Sequence, residues 1–176
     1  MFYYALQVAT GKEKTFAENA KKMLPAETFP PHDFIFLTRE LTIRRQGKYL
    51  KELQPLFPSY LFLSCEEEIS GDFVHAIQSL PDCYHFLTRD KKVRPLANKD
   101  LAILQHFLTL GATARASLVT FDENDRIVVF EGPLKGLEGN IIKVDRRKKR
   151  AKIRVDFDNS QLTIDLSFDV MDKNKV

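Results

Sequence analysis

The sequence of 176 residues contains no tryptophan, only two cysteines and no long hydrophobic run. No apolar stretch approaches the roughly 20 residues that a membrane-spanning helix needs, and the amino terminus does not have the pattern of a secretory signal. Cys65 and Cys83 show no CxxC spacing, which favours free, partly buried thiols over a disulfide. We therefore expect a cytoplasmic protein with no membrane contact.

Signatures of catalysis and of cofactor binding are missing as well. The four histidines are scattered, and no pair has the spacing of a metal site. The turn that contains Gly136 and Gly139 lacks the G-x-x-x-x-G-K-[ST] order, so Lys135 is not expected to contact a nucleotide phosphate. We expect no enzyme, no metal and no cofactor.

Residues 125–154 carry the clearest pattern in the sequence. Apolar runs at 127–130 and 141–144 flank a glycine-bearing segment, GPLKGLEG, which predicts two strands joined by a tight connection. After a basic turn, Ile153, Val155 and Phe157 alternate with polar residues, and residues 164–170 alternate in the same way. These strands predict a small all-β barrel at residues 123–176.

The amino-terminal residues 1–110 predict a mixed domain with an antiparallel sheet and flanking helices. A first strand at Phe2–Val8 is followed by a helix with a Thr10–Glu13 capping box and an apolar face that includes Met23. Residues 39–54 predict a hairpin with a Gln46-Gly47 turn. Small residues dominate 111–122, which we interpret as a linker, and the expected fold class is α+β.

The phrase PLFPSYLFL, residues 55–63, ends in a strand that is too apolar to leave one face in water. Two interpretations are open: either both faces are covered internally, or one face is the docking surface of a partner.

A family resemblance rests on these two signatures. The order strand, G-P-x-K-G-x-x-G, strand, polar turn, strand resembles the KOW motif of the NusG family of transcription elongation factors. The Leu-Phe-Pro-x-Tyr phrase resembles NusG-type amino-terminal domains, which carry Pro-Gly-Tyr or Pro-Asn-Tyr where Ser59 stands here. The resemblance implies a NusG-type amino-terminal domain followed by a small all-β KOW (SH3-like) barrel.

The same resemblance implies a monomeric, non-catalytic factor for transcription elongation and processive antitermination. It would bind RNA polymerase through an apolar patch and, across the cleft, through the connection at residues 70–72. The implied polymerase-binding residues are Tyr4, Phe57, Tyr60, Phe62, Ser70, Gly71 and Asp72.

Charge separates along the predicted barrel. Residues 143–154 contain eight basic residues against Asp145 alone, whereas residues 156–172 contain five aspartates and no Lys or Arg. Such a run is often only a solvated turn, but here it continues onto a strand, which favours phosphate contacts. The resemblance to the LoaP group within the family implies that the ligand is a nascent RNA hairpin. The predicted nucleic-acid-binding residues are Lys143, Arg146, Arg147, Lys148, Lys149, Arg150, Lys152 and Arg154, and secondarily Arg44, Arg45 and Lys48.

Departures from the family pattern favour a specialised paralogue similar to RfaH or to the LoaP group. General NusG proteins have tryptophan in the first strand, where this chain has Phe2, Tyr3 and Tyr4. The resemblance to general NusG proteins also implies another kind of partner besides RNA. The acidic side of the barrel is a candidate surface for a ribosomal protein or a termination factor. The alternative function is a KOW-type translation or ribosome-assembly protein that binds structured ribosomal RNA.

Overall fold

The structure, a computed structural model, describes residues 1–25, 27–89, 91–157 and 160–171. The chain divides into two compact units. Unit 1 comprises Met1–Leu37 and Phe57–Ala102, and unit 2 comprises Thr38–Leu56 and Ile103–Val176. The predicted division at residues 110 and 122 places the hairpin in the first domain, whereas the hairpin belongs to unit 2 here.

Within the described ranges the secondary structure is mixed, with three α-helices and mostly β-strands. In chain order the elements are β1 (Phe2–Val8), α1 (Glu13–Met23), β2 (His32–Ile35), β3 (Thr38–Arg45), β4 (Lys48–Pro55), β5 (Tyr60–Cys65), α2 (Gly71–Gln78), β6 (Cys83–Phe86), β7 (Thr88–Arg89), β8 (Lys92–Val93), α3 (Asn98–Leu108), β9 (Thr113–Ala114), β10 (Ser117–Phe121), β11 (Ile127–Glu131), a 3-10 helix (Glu138–Asn140), β12 (Ile141–Asp145), β13 (Arg150–Phe157) and β14 (Ser160–Val170).

Unit 1 is built on a four-stranded antiparallel sheet in the order β2-β5-β1-β6. Alternate residues of β1 and β5 point into one core, which α1 and α2 cover with Phe16, Ala20, Phe73 and Ile77. The predicted antiparallel sheet with flanking helices is therefore observed in this unit. Among the described residues, no helix has the length and apolarity that crossing a membrane requires.

The start of α1 differs from the prediction. No side chain caps the helix at Lys12, because the two residues of the predicted capping box bind elsewhere. The buried carboxylate of Glu13 accepts the N–H of Ser59 (2.7 Å), and the hydroxyls of Thr10 and Ser59 lie 2.6 Å apart. Met23, predicted on the apolar face, is exposed.

The two cysteines confirm the expectation of free thiols. Cys65 pairs with Phe2 and Cys83 with Val8, at opposite ends of β1. Six residues of strand separate these positions by about 20 Å, much farther than a disulfide spans. Burial raises the pKa of each thiol to about 11.

Unit 2 contains the predicted hairpin, formed by β3 and β4 in continuous register from Thr38↔Pro55 to Arg45↔Lys48. Gln46 and Gly47 both have positive φ, 50° and 79°, which is typical of the type I′ turn that matches the twist of two paired strands. The edge of β3 also pairs with β9, in parallel, at Thr38 and Arg39.

The rest of unit 2 is dominated by a five-stranded sheet in the order β11-β10-β14-β13-β12. β13 and β14 pair along eight positions, from Arg150↔Ser167 to Phe157↔Ser160. Ala151, Ile153 and Val155 are buried, as their alternation predicts. The predicted linker is wrong for Ser117–Phe121, because these residues form β10 and pair with both β11 and β14.

The glycine-bearing connection between β11 and β12 packs against the start of β10. Gly132 has φ of +93°, and a Cβ atom on it would lie 2.6 Å from Cα of Ser117. The buried Ser117 hydroxyl accepts the N–H of Leu134 (2.9 Å). Lys135 donates its ammonium to the carbonyl of Val129 (3.0 Å), so this lysine belongs to the turn itself.

Candidate functional site

The predicted apolar docking patch lies largely inside the protein. Tyr4, Phe57 and Phe62 are only 2%, 2% and 1% exposed. The rings of Phe57 and Phe62 meet edge to face with centroids 5.4 Å apart, and the hydroxyl of Tyr4 accepts the N–H of Ile69 (3.2 Å). Burial is the main cause that raises the pKa of Tyr4. The prediction that these three side chains form an exposed patch is wrong for this structure.

Of the four aromatic residues predicted in that patch, Tyr60 retains partial exposure at the start of β5. The residue before it, Ser59, has φ of 69°, in the left-handed region that glycine and asparagine adopt most readily. This backbone conformation gives a physical reason for the Pro-Gly-Tyr and Pro-Asn-Tyr forms of the phrase. Here serine occupies the position, and Glu13 holds its backbone N–H.

The connection predicted to reach a partner across a cleft is the amino-terminal end of α2. Ser70 caps this helix by accepting the N–H of Phe73 (3.2 Å). Gly71 and Asp72 form the first turn, and all three predicted residues are exposed.

The basic turn at residues 146–150 joins β12 to β13 in unit 2. The Asp145 carboxylate accepts the N–H of Lys148 (2.9 Å), and Lys149 adopts a positive φ of 52°. Arg146 lies 2.8 Å from the Asp125 carboxylate, and its guanidinium stacks 3.7 Å from the centroid of the Phe121 ring. This arginine therefore has partners that hold it against the protein.

Two other predicted nucleic-acid-binding residues form ion pairs. Lys152 lies 2.9 Å from Asp165, which sits directly opposite it on β14. Lys149 lies 3.5 Å from Asp169. Both pairs are partly or largely solvent-exposed, so they hold their lysines only weakly.

Arg150, predicted to bind nucleic acid, also contacts the hairpin. It donates to the carbonyl of Thr42 (2.7 Å), while Ser167 donates to the carbonyl of Glu40 (2.9 Å) and Arg39 donates to that of Asp165 (3.0 Å). Arg150 and Ser167 thus satisfy backbone carbonyls of the β3 edge beyond its pairing with β9, and Arg39 satisfies one on β14. Burial is the main cause that lowers the pKa of Arg39.

Four further cations of the predicted stripe differ in their surroundings. Within the part of the chain that the structure describes, no carboxylate lies within ion-pair distance of Lys143, Arg147, Lys148 or Arg154. All four side chains are exposed. They are the members of the predicted stripe whose positive charge is most available to a ligand.

Three of these four cations, Lys143, Arg147 and Lys148, line two cavities. One of about 160 Å³ is lined by Lys143, Lys148, Arg150 and Lys152 together with Asp145 and Asp165. A larger one of about 750 Å³ lies between the basic turn and the hairpin, and Lys148 and Arg150 line both.

The larger cavity brings together residues about 100 positions apart in sequence. Arg44, one of the secondary predicted residues, lines it with the basic turn. Arg45 and Lys48 are exposed beside the hairpin turn. Tyr49 also lines this cavity, and its functional potential was missed because the sequence shows only its alternation on one hairpin arm. In the described residues no group of three His, Cys, Asp or Glu side chains is placed to hold a metal ion.

A family model described as transcription termination factor nusG matches residues 1–105. The chain belongs to the NusG family. Its membership places the protein among transcription factors, and it supports the transcription and antitermination role that the sequence resemblance implies.

Curated NusG relatives are similar along almost the whole chain. The transcription termination/antitermination protein NusG of Rickettsia felis is 23% identical and covers 98% of this chain and 90% of its own length. The protein of the same name from Buchnera aphidicola is 22% identical, with coverage of 98% and 96%. A solved structure of Thermotoga maritima NusG, described as showing domain interaction, matches with a TM-score of 0.56 at 18% identity and covers 94% of this chain and 93% of its own. This likeness supports a NusG-type fold.

Proposed function

We propose that this chain is a non-catalytic transcription elongation and processive antitermination factor. Its amino-terminal domain would bind RNA polymerase, and its carboxyl-terminal sheet, which we assign as the KOW barrel, would bind nascent RNA. Three observations support this proposal. The chain belongs to the NusG family, its G-P-x-K-G-x-x-G motif connects β11 and β12 of the five-stranded sheet, and the same sheet and its turns carry exposed cations.

The observation that carries the RNA-binding part is the cluster of exposed cations that have no carboxylate partner among the described residues. Ion pairs with the aspartates of β14 could have neutralised the whole stripe, but they engage Lys149 and Lys152 and leave Arg147 and Lys148 available. Such cations favour nucleic-acid binding, because each phosphate that they neutralise releases counterions condensed on the nucleic acid.

Charge reversal tests this part. Arg147, Lys148 and Lys149 would be changed together to Glu, and binding of a labelled RNA hairpin would be measured by fluorescence anisotropy at several salt concentrations. Affinity should fall, and the slope of log K against log salt should become shallower by about 0.7–0.9 for each phosphate that the variant no longer neutralises.

A matched control exists in unit 1. Lys14, Lys21 and Lys22 are exposed on α1, so their reversal to Glu changes the net charge equally at another place. If both triple variants show the same fall in affinity, the effect is one of overall charge and the stripe is not the binding site.

The polymerase-binding part needs a revised surface, because Tyr4, Phe57 and Phe62 are buried. We propose the partly exposed Tyr60 and the exposed start of α2 at Ser70, Gly71 and Asp72 as the residues that make contact. A factor that touches both sides of the polymerase cleft would favour its closed state, since a ligand shifts an equilibrium by its differential affinity for the two states.

A pull-down of purified RNA polymerase tests this surface. A folded Tyr60→Ala protein should retain less polymerase than the parent chain. Tyr84→Ala removes a more exposed tyrosine from the same unit and should leave retention unchanged. Full retention by Tyr60→Ala would exclude Tyr60 from the contact.

The nature of the second partner is a further part of the proposal. We propose RNA recognition of the kind expected of a specialised paralogue similar to the LoaP group or RfaH, rather than binding of a ribosomal protein or a termination factor. Of the loop that would meet such a protein partner, Asp158 and Asn159 lie outside the described residues. The ribosome-assembly alternative is disfavoured by the family match over residues 1–105, and co-purification with polymerase rather than ribosomal subunits would discriminate the two.

A further inference from the structure

An exposed aromatic ring stands beside the basic turn. Tyr49, on β4, is 70% exposed, although transfer of an aromatic side chain out of water is favourable. Its cross-strand neighbour on β3 is Arg44, whose guanidinium carbon lies 5.9 Å from the ring centroid. One face of the hairpin tip therefore presents a flat ring next to a cation.

This ring lines the cavity of about 750 Å³ in unit 2. Five cationic side chains line the same cavity: Arg44, Arg147, Lys148, Lys149 and Arg150. Asp169 is the one acid among its described lining residues, and its exposed pair with Lys149, at 3.5 Å, is weak. The cavity combines a strongly positive wall with an aromatic surface.

The hairpin is fixed to this wall. Arg150 holds the carbonyl of Thr42 at 2.7 Å, and Thr42 lies only two residues from Arg44. Ser167 holds the carbonyl of Glu40. Because two side chains of the five-stranded sheet anchor the edge of β3, the ring and the cations are held on facing sides of one cavity before any ligand binds.

The aromatic ring and the cations that line the cavity suit different parts of one ligand. Cations attract phosphates of any nucleic acid, whereas an exposed ring offers a stacking surface for a base. A base within a duplex already stacks on its neighbours and has no free face. Only an unpaired nucleotide can present its base to the ring and, at the same time, its flanking phosphates to the cations.

We propose that this cavity binds an unpaired nucleotide of RNA, with its base stacked on Tyr49 and its flanking phosphates on Arg147, Lys148 and Arg44. The inference rests on the proposed RNA-binding function and specifies what part of the RNA is recognised. It assigns the hairpin tip and the basic turn to one site.

Tyrosine variants test the stacking. The probes are a fluorescently labelled RNA hairpin with an unpaired loop, and a blunt RNA duplex of the same length. Tyr49→Ala should weaken binding of the looped hairpin about tenfold, within the range found for removal of one base–aromatic stack. Tyr49→Phe keeps the ring and should bind within about twofold of the parent chain.

Three readouts separate stacking from charge and from misfolding. Tyr49→Ala removes no charge, so the salt dependence of binding should keep its slope. Binding of the blunt duplex should be unchanged, because the cations remain. Circular dichroism and thermal unfolding of the variant should match those of the parent chain, since the truncated side chain is exposed.

A fluorescence measurement gives direct evidence for the contact. The chain contains no tryptophan, so Tyr49→Trp introduces a single tryptophan at the site. Its emission should be quenched by the looped hairpin and not by the blunt duplex.

The possible failures are distinguishable. If the parent chain and Tyr49→Ala bind the looped hairpin equally, the inference is overturned and RNA binding by the stripe stands. If Tyr49→Ala weakens the hairpin and the duplex equally, recognition of an unpaired nucleotide is overturned. If the parent chain binds neither probe, the RNA-binding part of the proposed function fails together with the inference.

Discussion

Phe57 and residues 61–63 pack inside unit 1, whereas residues 146–149 lie on the surface of unit 2. Both segments stand out in the sequence, one by its apolar side chains and the other by its consecutive cations. On β5, Leu61, Phe62 and Leu63 are all buried although successive side chains point to opposite faces. In the turn, Arg146, Arg147, Lys148 and Lys149 are all exposed.

The difference shows how much each kind of residue restricts its own environment. Consecutive cations have to stay in water or meet an anion, because burial without a partner is prohibitively unfavourable. Removing the side chains of an apolar strand from water lowers the free energy equally in the protein's own core and against a partner's surface. The sequence of such a strand therefore does not distinguish a core strand from a docking surface. Four substitutions test this contrast.

The largest effect is expected inside the phrase. Phe62→Ala should lower the free energy of unfolding by about 3–5 kcal/mol, because it leaves a cavity where a buried ring packed. Urea unfolding followed by circular dichroism measures the change. Tyr49→Ala, which truncates an exposed ring, should shift it by less than about 0.5 kcal/mol; equal decreases would mean that Phe62 is not a core residue.

A similar but smaller effect is expected in the connection that precedes the basic turn. Gly132→Ala should destabilise by about 2–4 kcal/mol, since the new methyl group meets the backbone of Ser117 and the residue must keep a positive φ. Gly136→Ala has the same φ problem in open space, and should destabilise by only about 1–2 kcal/mol. Thermal unfolding of the two variants compares them, and the close approach would be refuted if they melted together.

Besides Arg150, which anchors the hairpin, the basic run contains a second residue with a structural role, Arg146. Arg146→Ala should lower stability by about 0.5–1 kcal/mol, because Arg146 stacks on Phe121 and pairs with Asp125 at the surface. Removal of the ion pair alone should follow from Asp125→Asn, with a still smaller change. Unfolding measurements at low and high salt distinguish the two contributions, since salt screens the pair and not the contact with the ring.

The smallest effect on stability is expected one residue later. Arg147→Glu should change the free energy of unfolding by less than about 0.5 kcal/mol, because Arg147 is exposed and makes no ion pair within the described residues. Its RNA affinity should nevertheless fall. A variant that is both destabilised and defective in binding would mean that the turn serves the fold, and the contrast with residues 57–63 would disappear.

Local pattern was sufficient for the elements whose determinants are close in sequence. Gly47 marks the hairpin turn, because glycine readily takes the positive φ that it adopts there. The alternation of Ile153, Val155 and Phe157 specifies the buried face of β13. The capping box and the linker were wrong, because Glu13 binds Ser59 and β10 pairs with β14, and both partners are distant in the chain.

The sequence by itself determined the NusG-type order of elements and the exposure of the basic run, since the first follows from local patterns and the second from the free energy of hydrating charge. Only the tertiary structure decided that Tyr4, Phe57 and Phe62 are buried and that Tyr49 faces the basic turn. Both outcomes depend on which surfaces meet after folding. Arg150 holds the hairpin beside the turn through the backbone carbonyl of Thr42. Because every residue carries such a carbonyl, the contact cannot be predicted from a side-chain pattern.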